Sequence, residues 1–170
     1  MMRRLVFLFG TLLLLWGCGY HLPGQGGTLP PEIETLHIEL FSNRTSEPFL
    51  ENQVTDFVTD QFARRRMLRL VEDPAQADAL LTGSVTAYSA VPVSYDRNDR
   101  ITEYRSTMEI SATLRRADVG EVLWKGNVSW TEEYPASLDK MAQEDEEAAA
   151  IEVISERLAE ELYFRITENF

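Results

Sequence analysis

The strictest pattern in the chain is an alternation over residues 104–114. Tyr104, Met108, Ile110, Ala112 and Leu114 share one parity, and Arg105, Thr107, Glu109, Ser111 and Thr113 share the other. Side chains of a strand point alternately to opposite faces, so this segment predicts a strand with one apolar and one polar face. After the turn signal Asp118-Val119-Gly120 the alternation returns, with Val122, Trp124, Val128 and Trp130 set against Lys125, Asn127, Ser129 and Thr131. The two segments read as a hairpin. Two less regular strands precede it. Thr35 to Phe41 sets Leu36, Ile38 and Leu40 against His37 and Glu39, and Ala79 to Tyr88 puts Leu81, Val85 and Ala87 on a shared face. A short extended piece, Leu68 to Val71, is broken by Glu72-Asp73-Pro74.

Helical spacing occurs twice. Leu50, Val54, Phe57, Val58 and Phe62 form the stripe of a first helix ending near Arg66, with Pro48 in its first turn and Ser46 or Thr45 as its cap. Ile151, Ile154, Leu158, Leu162 and Ile166 form the stripe of a second, in which Glu161 and Arg165 stand four residues apart. The acidic run Glu144 to Glu147 suits the positive end of that helix; it serves as a solvated helix start or, alternatively, as a contact for a basic partner. Ser89 to Thr102, with Pro92 and the polar run Asp96 to Arg100, is expected to be a long exposed connection. The elements together predict an α+β fold: a two-layer sandwich with a mainly antiparallel or mixed sheet of about four strands and two helices packed on one face. The polar face of the hairpin cannot be a dry core, so it must meet water or a polar surface.

The start of the chain follows a different logic. Met1-Met2-Arg3-Arg4 is basic, Leu5 to Trp16 is apolar, and Gly17-Cys18 closes the run. The run is too short to span a bilayer, and the order of features is that of an export signal. It resembles a bacterial lipobox, in which the cysteine thiol receives a diacylglycerol and the peptide is cut before it. The alternative is a plain secretory signal with a chance cysteine. The expected organisation is a signal peptide over 1–17, a lipidated Cys18 with a Gly/Pro-rich tether over 18–32, and a single domain over 33–170.

The 170-residue chain carries 28 acidic and 16 basic residues, a net charge of −12, and loss of Arg3 and Arg4 would make it more negative still. That balance excludes a general nucleic-acid binder and leaves membrane attachment to a lipid anchor. With Cys18 the sole cysteine, no internal disulfide is possible. His21 and His37 are the only histidines, and no Cys/His zinc spacing, phosphate loop, nucleophile elbow or HExxH sequence occurs. No catalytic constellation, metal site or cofactor is expected, and the protein is read as a non-enzyme.

All but two of the basic residues are arginines, whose guanidinium forks suit phosphate. Arg64, Arg65, Arg66 and Arg69 close the first helix, where cations complement the helix dipole. Arg115 and Arg116 flank the hairpin turn and keep a strand end soluble. Arg97, Arg100 and Arg105 form the third group, with Lys125 and Lys140 as neighbours if the long connection folds toward the polar face; this group is either a solvated loop or an anion site.

Cys18-Gly19-Tyr20-His21-Leu22, the strand at Leu36 to Phe41, Arg97-Asn98 followed by Thr102-Glu103-Tyr104-Arg105, and the alanine-rich acidic last helix together resemble the LptE family of lipopolysaccharide-assembly lipoproteins. The resemblance implies an outer-membrane lipoprotein on the periplasmic side that plugs its partner barrel LptD and binds lipopolysaccharide during delivery to the outer leaflet. A polar-faced plug suits the polar lumen of such a barrel. By position before Glu103-Tyr104, Arg97 matches a lipopolysaccharide-binding residue of the family, and Lys140 matches a second to within a residue or so. Arg100 and Arg105 complete the expected ligand set. A periplasm-facing adaptor of another envelope machine is the alternative function.

Overall fold

The computed structural model describes residues 29–168. The signal sequence, Cys18 and the tether up to residue 28 lie outside the described residues. In chain order the elements are β1 (Thr35–Ile38), β2 (Ser42–Asn43), α1 (Leu50–Arg65), β3 (Arg69–Leu70), a 3-10 turn (Pro74–Gln76), β4 (Ala79–Tyr95), β5 (Ile101–Arg116), β6 (Val122–Pro135) and α2 (Lys140–Glu168). They form an α+β fold with a mixed sheet in the order β3-β1-β4-β5-β6, and β2 continues alongside β4 beyond the end of β1. β1, β2 and β3 pair in parallel, whereas β4, β5 and β6 form an antiparallel meander.

The sheet has six strands where about four are expected from the sequence. The surplus, β2 and β3, are two residues each, too short to show a period, and exist only because β4 and β1 offer them a pairing edge. β1 also stops at Ile38, which leaves Leu40 63% exposed rather than in line with buried Leu36.

The alternation in β5 holds throughout: Met108, Ile110, Ala112 and Leu114 are buried, and their odd-numbered neighbours face away. These residues share one core cluster with Leu50, Val54, Val58 and Phe62 of α1 and Ile154, Leu158, Leu162 and Ile166 of α2. The core also takes in Leu29 and Ile33, so burial reaches back into the expected tether. α1 ends at Arg66 in the left-handed region (φ 52), whose N–H donates to the Phe62 carbonyl at 3.3 Å. Its start differs from expectation. Phe49, at φ 66, precedes the first helical residue with no side-chain cap, and Thr45 and Pro48 lie in the turn before it. α2 is capped by Asp139, whose Oδ1 accepts the Met141 N–H at 2.9 Å.

The largest departure is the segment after Tyr88. It is not a long loop: β4 runs to Tyr95, pairing Ser89 with Thr107, Val91 with Arg105 and Tyr95 with Ile101. Only residues 96–100 turn. Register shifts between Val85 and Ala87 and again after Pro92 destroy the simple period, which hides the strand from a reading of alternation. The first shift exposes Ala87, expected on the apolar face with Leu81 and Val85, and gives the core-side place to Tyr88. At Pro92 β4 pairs with β5 alone among the described strands, an edge position that tolerates a residue without a backbone donor.

Candidate functional site

The distal end of the β4–β5 hairpin is built around one carboxylate. Asp96 Oδ1 accepts the N–H groups of Asn98 at 2.7 Å and Arg100 at 3.0 Å, and Asp96 N–H donates to the Arg100 carbonyl at 2.8 Å. These backbone donors hold the Asp96 carboxyl below its ordinary range. Asp99 takes the left-handed conformation (φ 58) that closes the turn. Arg97 and Arg100 project from this rigid turn, exposed and without an ion pair among the described residues. The connection from β6 to α2 lies beside them, since Glu103 pairs with Pro135 and Ala136 N–H donates to the Thr102 carbonyl at 2.9 Å. Lys140 follows as the first residue of α2, its side chain 90% exposed and 3.4 Å from Glu144. Arg97, Arg100 and Lys140 thus share one end of the molecule.

Arg105 and Lys125 have other places. Arg105 stands four residues along β5, about 13 Å from Ile101, on the open face, where its Nε and Nη2 donate to Glu133 Oε1 at 2.9 and 2.6 Å. Lys125 pairs across the sheet with Thr113, twelve residues and roughly 40 Å along β5 from Ile101. It is no neighbour of the turn, because the hairpin extends the sheet instead of folding back over it. The arginines that close α1 are structural: Arg64 bonds Asp60 at 3.2 Å, and Arg65 lies over the rings of Tyr163 and Phe164 at 5.6 and 5.3 Å. Arg116 is held between Glu32 at 2.8 Å and Asp118 at 3.4 Å.

Two features of the distal end escape a reading of the sequence. The first is apolar exposure: Tyr95 is 56%, Leu138 93% and Met141 75% exposed, so apolar groups share this end with Arg97, Arg100 and Lys140. The second is a brace beneath them. Tyr88 OH donates to Glu147 Oε1 at 2.7 Å and meets Ser106 Oγ at 3.0 Å, while Tyr104 stacks on Tyr134 with centroids 5.8 Å apart. Burial pushes the Tyr88 hydroxyl far up, so it stays a donor. The carboxyl of Glu47 is raised by burial and by repulsion from Glu147. This brace ties the far half of β4 to the start of α2.

A third grouping is legible only in three dimensions: Arg44, Arg115 and Lys125 line a concavity of about 390 Å³ on the open sheet face, at the level of Thr82 and Thr113. Among the described residues no three His, Cys, Asp or Glu are arranged to hold a metal ion.

A family model described as LptE, lipopolysaccharide-assembly, matches residues 33–166. No match was found among curated proteins. Among solved structures, lipoprotein B from Nitrosomonas europaea shares 14% identity with a TM-score of 0.59, covering 88% of this chain and 90% of that one. The rare lipoprotein B from Shewanella oneidensis shares 13% with a TM-score of 0.54 over 78% and 90%. PelC from Paraburkholderia phytofirmans shares 12% with a TM-score of 0.55 over 84% and 94%. At these identities the structures share a fold with this chain, and the family match extends over most of its length: the chain belongs to the LptE family of lipopolysaccharide-assembly lipoproteins.

Proposed function

We propose that this protein is an outer-membrane lipoprotein, anchored through acylated Cys18, that plugs and helps assemble the LptD β-barrel and binds lipopolysaccharide on its way to the outer leaflet. The observation that carries the ligand-binding part is the distal end. Two guanidinium groups on a turn stand without an ion pair among the described residues, and one ammonium, 90% exposed, is held only by Glu144 at 3.4 Å, at the end that also exposes Tyr95, Leu138 and Met141. Guanidinium forks suit phosphate oxygens, and apolar side chains next to them suit an amphiphile with a phosphorylated head. The net charge of −12 disfavours anionic lipid wherever the surface lacks a local group of unpaired cations. Arg105 supports the arrangement from outside it: bonded to Glu133, it fixes the strand base instead of offering a free fork. No covalent chemistry is required; the ligand is held and released by charge-assisted bonds.

The plug role draws on the open sheet face, whose Thr, Ser and Asn side chains match the polar lumen of a large barrel. The Arg97→Asp, Lys140→Asp double variant is expected to lower affinity for lipopolysaccharide at least about tenfold and to flatten its salt dependence, while copurification with LptD persists through the broader surface. Unchanged affinity and salt dependence would remove the distal end from ligand binding. Absence of a barrel protein from detergent-solubilised outer membrane would favour an adaptor of another envelope machine.

A further inference from the structure

We infer that the open face of the sheet carries a second anion site, distinct from the distal turn, that takes a phosphorylated saccharide. Four strands contribute to it at one level. Ser42 of β2 stands opposite Ser84 of β4, Ser84 opposite Ser111 of β5, and Ser111 opposite Asn127 of β6. One step along, Thr82 faces Thr113 and Thr113 faces Lys125. Adjacent strands are about 4.8 Å apart, so the row spans roughly 14 Å, the width of a small oligosaccharide. Ser84, only 7% exposed, lies at the floor, and Arg44, Arg115 and Lys125 complete the lining. None of these three cations has a carboxylate within 4 Å among the described residues, in a protein with a net charge of −12. The carboxylate that borders the site, Glu109, accepts a bond from Asn127 Nδ2 at 3.0 Å and is not part of the lining.

The chemistry of the lining selects the ligand class. Protein interfaces are anchored by buried aromatic and aliphatic side chains, and this concavity has none. Rows of hydroxyls with an amide suit sugar hydroxyls, which donate and accept in turn, and three free cations suit phosphate. A nucleic acid presents the same groups but would be repelled by the rest of the surface. The serine row stands ten residues, roughly 33 Å, from Ile101 along β5, too far for one small headgroup to bridge both sites. A glycolipid with an extended sugar chain and a free sugar phosphate share this chemistry. The glycolipid source rests on the proposed function; the site itself does not.

The test is amide NMR of the lipid-free domain with five probes: deacylated lipopolysaccharide saccharide retaining its phosphates, the same saccharide dephosphorylated, glucose 1-phosphate, inorganic phosphate, and a polyglutamate peptide. The phosphorylated saccharide is expected to shift Ser84, Ser111, Thr113 and Lys125 saturably, and the Arg115→Glu, Lys125→Glu variant to weaken it at least about tenfold. Both positions are exposed; should that variant unfold, Lys125→Ala alone is expected to weaken binding in the same direction. The Arg97→Asp, Lys140→Asp variant should leave these shifts in place. Glucose 1-phosphate binding here as tightly as the saccharide would assign the free sugar phosphate as ligand. Shifts confined to residues 96–100, equal binding of inorganic phosphate or of the dephosphorylated saccharide, or tighter binding of polyglutamate would each overturn the assignment. Saccharide binding on the open face combined with unaltered lipopolysaccharide affinity in the Arg97, Lys140 variant would overturn the distal site alone.

Discussion

The two faces of β5 carry equal numbers of side chains over the same stretch and do opposite work. Met108, Ile110, Ala112 and Leu114 are at most 2% exposed and share a core cluster with residues of both helices, while Thr107, Glu109, Ser111 and Thr113, on the other face, are less buried. The core lies on one face, and the saccharide site proposed above lies on the other. A sheet with a single covered face can therefore change its open face for binding without disturbing the core that holds it.

That division is tested most directly by truncation on each side. Leu114→Ala is expected to cost about 2–5 kcal/mol in urea unfolding, since a buried side chain leaves a cavity, whereas Thr113→Ala should stay within about 0.5 kcal/mol. Similar losses at both positions would break the comparison. Next in size is a packing contact on the covered face. A Cβ at Gly83 would stand 2.1 Å from Phe41 Cε1, so Gly83→Ala should cost about 1–3 kcal/mol of thermal stability, less in a Phe41→Leu background where the ring is gone.

Asp78 sharpens the comparison because it is polar and yet structural. Its Oδ2 accepts from Thr35 Oγ1 at 2.7 Å, Thr35 N–H at 2.8 Å and Glu34 N–H at 3.1 Å, and the Thr35 hydroxyl leads the donors that hold its carboxyl below the ordinary range. Asp78→Asn should lose about 1 kcal/mol at neutral pH. A carboxyl lowered in the folded state stabilises above its unfolded value and loses that contribution as pH falls through the folded one. The gap between wild type and variant should thus close in acid, as urea titrations at neutral and acidic pH would show. Glu47 has the opposite sign. Its raised carboxyl disfavours the ionised form, so its stabilising effect belongs to acid and fades as pH rises. Glu47→Gln is expected to stabilise the neutral protein by a few tenths of a kcal/mol and to have no effect in acid.

The distal end shows where a linear reading loses information. Arg97 and Arg100 are legible from a polar run between apolar segments, and they do project from a turn. Arg105 belongs to the same run of sequence but is spent on Glu133, a residue brought opposite it only by the register of β5 and β6. Lys125 sits with Arg44 and Arg115 because four strands converge at that level. The extension of β4 to Tyr95 was hidden by its own register shifts and by Pro92, which mimic a loop in composition.

By itself the sequence determined what depends on neighbours along the chain: the apolar stripes of α1 and α2, the alternating faces of β5 and β6, the acidic balance, and the signal-like start with its cysteine. These follow from periods of 3.6 and 2, which are fixed by backbone geometry. Tertiary structure alone decided what depends on neighbours across the fold: the short parallel strands β2 and β3, the brace from Tyr88 to Glu147, and which cations remain free. A two-residue strand has no period, and a charge has no intrinsic partner, so both are settled only when distant segments meet.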